Sequence, residues 1–149
     1  MFKFSNNILG ILIRGTDYIA CRPKGHPIQP NPELVYQDII KFDNIYKYDY
    51  FFLTTEDDLI RQIFINKLGK KLKYIKSKIN INYDYKKKNL LAFNNNLKGN
   101  IYFMKLYLIN IIILSKCLDI ISSKAGGSLV ALILSKSFRN IKIYELGYY

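Results

Sequence analysis

Little in this chain suits metal or disulfide chemistry. It holds two cysteines and one histidine in 149 residues. Cys21 and Cys117 stand in no Cys-x-x-Cys or metal-ligand spacing, which excludes a structural zinc site built on them. No basic stretch followed by an apolar core opens the chain, so no secretory signal is read and a reducing cytoplasm is the expected setting. Long apolar runs are missing as well. The most apolar stretch, Leu106 to Leu114, is interrupted by Asn110 and flanked by Lys105 and Lys116, short of the ~20 apolar residues that cross a bilayer. It reads instead as a buried helix.

Acid is scarce: 11 Asp and Glu face 23 Lys and Arg, a net charge of +12. Such an excess favours an anionic partner, whether nucleotide, nucleic acid or membrane surface. The cations are mostly Lys amid abundant Ile, Asn and Tyr, so compositional drift on a solvated surface accounts for much of the charge. Nucleic acid ranks below that reading, because no RNA- or DNA-binding motif accompanies the lysines. No internal repeat is visible.

What is present is enough for one folded domain spanning 1–149. Half the residues are hydrophobic, and strand and helix patterns alternate. Ile8 to Ile13 reads as a strand buried on both faces. The loop from Arg22 to Pro32 carries all four prolines, which forbid regular ladders. Asn31 and Pro32 predict a helix N-cap and first turn, with Leu34, Val35, Ile39 and Phe42 at helical spacing to about Asp43. Tyr48 to Thr54 predicts a second strand. Thr55 is placed to cap a helix bearing Leu59, Ile60, Ile63, Phe64 and Leu68, which Gly69 closes.

Leu72 to Ile75 predicts a third strand, and about 76–100 a mobile Lys- and Asn-rich connection. The buried helix of Ile101 to Cys117 follows. Asp119 to Ser123, Gly126 to Ser135 and Ile141 to Leu146 predict strand, helix and strand. The alternation predicts an α/β fold: a Rossmann-like parallel sheet of about five strands with helices on both faces.

Ligands of such sheets gather at the carboxyl ends of the strands, and three expected ends carry polar turns. Arg14, with Gly15 and Asp17, ends the first; it is placed to hold a phosphate, or equally to cap the sheet edge or pair with Asp17. Glu56-Asp57-Asp58 ends the second, where a ribose or metal contact competes with the favoured reading of acids at a helix start. Gly126-Gly127-Ser128 follows the fourth, where backbone N–H groups of a helix start could face a phosphate, or simply form a cap. The spacing is neither a Walker nor a dinucleotide glycine pattern. His26 is a candidate base or phosphate donor, with a packing role the simpler assignment.

Taken together, Ile11-Leu12-Ile13-Arg14-Gly15-Thr16-Asp17, Gly25-His26-Pro27-Ile28, Phe52-Leu53-Thr54-Thr55-Glu56-Asp57 and Leu114-Ser115-Lys116-Cys117-Leu118-Asp119 resemble the nucleotide-sugar half of the fucosyltransferases. The resemblance runs in order from about Ile8 to Leu146 and is nearest to the α-1,6 type among the α-1,6, α-1,2 and protein O-fucosyltransferases, whose shared motif is His-x-Arg-Arg-x-Asp. It implies one half of a GT-B-type glycosyltransferase that binds a GDP-sugar, GDP-fucose above all, with no metal or other cofactor. Arg14 matches the first motif arginine, which grips the β-phosphate. Gly15 and Leu12 stand where the second arginine and the histidine would be. The resemblance further implies that Asp57 lies near the nucleoside, the Gly126-Gly127-Ser128 turn near the diphosphate, and Asn110 near a guanine-contacting carboxylate position.

Relatives build the glycan acceptor side from an N-terminal half. The expectation is therefore a fragment, a separate polypeptide or second copy completing the enzyme, or binding without transfer. Two alternatives stand beside this reading: a non-catalytic basic domain that binds polyanions, and another Rossmann-like sugar-nucleotide enzyme.

Overall fold

The computed structural model describes residues 7–76, 101–135 and 137–149. From residue 77 onward, the connection expected over about 76–100 lies outside them. The strands β1 (Ile8–Leu12), β2 (Tyr50–Thr54), β3 (Leu72–Lys73), β4 (Asp119–Ser123) and β5 (Asn140–Tyr144) form one sheet in the order β3-β2-β1-β4-β5. Every pairing is parallel. The helices are α1 (Thr16–Cys21), α2 (Pro32–Tyr46), α3 (Asp58–Leu68), α4 (Ile101–Leu114) and α5 (Gly126–Leu134).

Strand alternation divides the interior in two. Leu9, Ile11 and Ile13 pack with Val35 and Ile39 of α2 and Ile60 and Phe64 of α3. Ile8 and Leu12 pack on the other face with Ile111 and Leu114 of α4 and Ala131 of α5. Because β1 is covered on both sides, all five of its residues are buried, and the apolar run needs no polar alternation. The fold is a Rossmann-like α/β sheet with helices on both faces.

Local signals set most boundaries. Asn31 caps α2 by accepting the Glu33 N–H at 2.8 Å, with Pro32 in the first turn. Gly69 ends α3 with φ of 53°. Two expectations are corrected and one unforeseen element is added. Asp57, not Thr55, caps α3, accepting the N–H groups of Leu59 and Ile60 at 2.9 and 3.1 Å; Thr55 Oγ1 instead accepts the Asp57 N–H at 3.2 Å. The short helix α1 precedes the proline loop and ends where Arg22 turns left-handed at φ of 47°. Finally, α4 is not a buried helix: only Ile111 and Leu114 are buried along it, since a helix apolar all round has no periodicity to mark which stripe meets the sheet.

Two tethers frame the sheet. At its amino edge the fully buried Asp119 accepts hydrogen bonds from Tyr48 Oη, the Arg139 guanidinium and the Asn140 N–H. At its carboxyl edge the chain end returns to the proline loop, where Gly25 N–H reaches Tyr149 O (3.1 Å), Tyr149 N–H reaches His26 O (3.1 Å) and Ile28 N–H reaches Gly147 O (3.0 Å). That return holds His26 in place.

Candidate functional site

Parallel strands put all their carboxyl ends on one edge. Leu12 is in register with Thr54 on one side and Ser122 on the other, so the loops after β1, β2 and β4 emerge side by side. The chain runs outward from β1 through β2 to β3, then returns to β4 and β5 on the opposite flank. The order therefore reverses between β1 and β4, the position where open α/β sheets leave a crevice for a ligand. Arg14 and the turn at Gly126, Gly127 and Ser128 flank that position.

Two adjacent acids lock the β1 loop. Glu56 Oε1 accepts the Gly15 N–H at 2.8 Å and the Thr16 hydroxyl at 3.2 Å, and it faces Arg14 Nε at 3.1 Å. Asp57 Oδ2 accepts the Thr16 N–H at 2.8 Å while Oδ1 caps α3. These contacts hold Thr16 at φ of 41°, a left-handed conformation that strains a β-branched residue by about 1–3 kcal/mol and persists only where neighbours impose it. Gly15 is required beside it: a Cβ there would lie 2.3 Å from Asp57 Oδ2.

Aromatic rings complete the surroundings of Arg14. Its guanidinium carbon lies 4.7 Å from the centroid of the Tyr18 ring, and Tyr18 meets His26 edge-on at 5.3 Å between centroids. From α4 comes Tyr107. Burial pushes its phenol pKa up, the Arg14 charge opposes that rise, and Glu56 and Tyr18 add to it; the four side chains thus share one electrostatic neighbourhood. Tyr107 also sits against the first turn of α5, where a Cβ on Gly127 would come within 2.7 Å of its hydroxyl.

The α5 turn is closed from inside. Ser128 Oγ accepts the Ala125 N–H at 3.0 Å and donates toward the Ser123 and Ala125 carbonyls at 2.8 and 2.6 Å. Gly126 faces open space. Nearby, at the ends of β4 and β2, the hydroxyls of Ser123 and Thr54 are buried with no hydrogen-bond partner in the structure. Buried hydroxyls are ordinarily satisfied, so both retain hydrogen-bonding capacity.

The structure thus gathers Arg14, Gly15, Asp57, His26, Gly126, Gly127 and Ser128 along one edge; Asp17 lies in the first turn of α1. It assigns Asp57 and Ser128 internal hydrogen bonds, and Asn110 donates to Leu106 O of its own helix at 2.8 Å. Sequence reading missed the hub, Glu56, and the two tyrosines around Arg14. Glu56 was visible only as one of three consecutive acids, and Tyr107 has no local signal at all. Chemically, a guanidinium in the loop after β1 and a glycine-rich helix start after the neighbouring β4 are each suited to a phosphate group. Among the described residues no three His, Cys, Asp or Glu side chains converge as metal ligands would, and no helix is long and apolar enough to cross a membrane.

Compared with models of known protein families the chain matches none, and a search of curated proteins likewise found no match.

Proposed function

We propose that this domain binds a nucleoside diphosphate sugar of the GDP-fucose kind at the carboxyl edge of β1 and β4, as the sugar-nucleotide half of a fucosyltransferase-like enzyme. The observation that carries the reading is the adjacency of the Arg14 loop and the Gly126-Gly127-Ser128 turn at the point where strand order reverses. The strained Thr16 and the two unpartnered hydroxyls support it. Neither cysteine is in a disulfide, and Cys117 is sealed in the core, which suits the cytoplasm.

In this reading Arg14 donates to the diphosphate while Glu56 fixes the guanidinium from its Nε side. The exposed start of α5 presents the N–H of Gly126 to the same anion. As the bond from the sugar to the β-phosphate loosens, its electron pair passes to the phosphate oxygen, and the cation stabilises that growing charge without a metal. An acceptor hydroxyl forms the new bond to the sugar's anomeric carbon from the opposite side, giving inversion; the nucleoside diphosphate leaves and the hydroxyl proton passes to water.

Calorimetric titration with GDP, GDP-fucose, UDP and ADP tests the proposal. GDP and GDP-fucose should bind at millimolar affinity or tighter, at least ~4 kcal/mol, and Arg14→Ala should lose about 1.5–3 kcal/mol of it. UDP- or ADP-selective binding would assign a different sugar-nucleotide enzyme. The excess of 12 positive charges favours one other class, a polyanion-binding domain. Its mark is binding to heparin that falls steeply with salt, with no heat from any nucleotide.

A further inference from the structure

Among the described residues, the layer formed by α4 and α5 is the most lopsided. Apart from Lys105 and Asn110, every residue of α4 is aliphatic, aromatic or Met. At 3.6 residues per turn, Ile101, Met104, Lys105, Leu108 and Ile112 fall within one arc of about 100°. The apolar members of that arc are exposed, Met104 at 59 %, Leu108 at 54 % and Ile112 at 50 %. On α5, Leu129 and Ile133 are exposed at 53 % and 81 %. Singly exposed apolar residues are ordinary; two such rows on neighbouring helices mark a contact surface.

Charge decides what fits there. Residues 101–139 carry five cations, Lys105, Lys116, Lys124, Lys136 and Arg139, and one acid, Asp119. Asp119 is fully buried and paired with Arg139. Neither α4 nor α5 contains an acid, and Lys105 and Lys116 are exposed. On the opposite face α2 and α3 mix both signs, with Glu33, Asp43 and Asp58 among their lysines. Lys124 is offset by Glu145 at 3.2 Å, but among the described residues no acid is paired with the exposed Lys105 and Lys116, and a second copy of this chain, which also carries +12, adds like charge to like. The face matches a surface that is apolar inside and negative at its rim.

We propose that the outer face of α4 and α5 docks peripherally on an anionic membrane. Leu108, Ile112 and Ile133 enter the boundary between headgroups and acyl chains, while Lys105 and Lys116 extend their stems along it and keep their ammonium groups among the lipid phosphates. The docking is independent of the nucleotide site.

Co-sedimentation of the full chain with vesicles tests this, using phosphatidylcholine alone or phosphatidylcholine mixed with phosphatidylserine. The protein should pellet with the mixed vesicles, much less with the neutral ones, and less again at high salt. The double substitution Leu108→Asp with Ile133→Asp should reduce partitioning roughly tenfold or more. Lys105→Glu and Lys116→Glu should each reduce it about fivefold. Circular dichroism should show an unchanged fold, and the lipid comparison on the unaltered chain stands without any variant. No pelleting with either vesicle, equal pelleting with both, or variants that pellet like the parent chain would each overturn the proposal. So would a dimer in sedimentation velocity that Ile133→Asp dissociates, an outcome that assigns the face to a second copy.

Discussion

Asp57 ties the loop after β1 to the start of α3, and the missing side chain of Gly15 is what lets it approach. A Cβ at position 15 would overlap not only Asp57 Oδ2 but also Asp57 Cβ, at 2.5 Å, and the rigid base of a buried side chain has nowhere to go. The substitution Gly15→Ala should therefore destabilise the fold by about 1–3 kcal/mol, as overpacking does, read as a lower denaturant midpoint. An unchanged midpoint would show that the loop has slack. The same geometry leaves no room for any side chain at position 15: the space is taken by Asp57.

Asp119 gives a second prediction at this scale. Burial alone would raise its pKa, but hydrogen bonds from Arg139, Tyr48 and Asn140 and the Arg139 charge outweigh that, holding the carboxyl below its ordinary value of 3.8. Asp38 is likewise lowered, against its own desolvation, by Tyr144, Lys41 and Lys142. A depressed folded pKa means stability that is present above the unfolded value and lost as pH falls through the folded one. Asp119→Asn should thus destabilise the protein at neutral pH, and the deficit should shrink once the pH drops below 3.8 toward the folded pKa. Urea titrations at neutral and acid pH would show it; a deficit independent of pH would mean that charge is not what Asp119 contributes.

Among elements, α2 and α3 begin with similar caps that differ in consequence. Asn31 serves only its helix, so Asn31→Ala should cost ~1 kcal/mol. Asp57 caps α3 and also holds Thr16 in its strained conformation, so Asp57→Ala should cost more than Asn31→Ala and should in addition release the Arg14 loop. Comparing the two midpoints with nucleotide binding by both variants separates cap from clamp. Equal losses of stability with binding intact would leave Asp57 a cap alone. The helix α4 presents the opposite case, an element held by few buried residues whose Tyr107 nonetheless reaches the start of α5.

For the whole molecule, the two cysteines report on folding. Burial pushes the Cys117 thiol up to about 12, whereas Cys21 is only partly buried. Since the thiolate is the reactive form, a disulfide reagent at neutral pH should label one thiol readily and reach Cys117 only through unfolding. Two equally fast thiols in the native protein would contradict the packing of α4 on β1.

Alternation along the chain announced the architecture, because its causes are local. Apolar runs of strand length, the Asn31-Pro32 start of α2 and the Gly69 stop of α3 each express hydrogen bonds or torsions within a few residues. The candidate site was legible only in part. Arg14 and the glycines were visible as polar turns after apolar runs, and parallel pairing turned them into one edge. The partners that give the site its shape are remote in sequence. Glu56 meets Gly15 across 41 residues and Tyr48 meets Asp119 across 71; Tyr107 comes against Gly127 from another helix and feels the Arg14 charge. Such meetings depend on strand order and on which stripe of a helix is pressed to the sheet. Neither is written in the spacing of a helix as uniformly apolar as α4, so packing of the whole chain decides them.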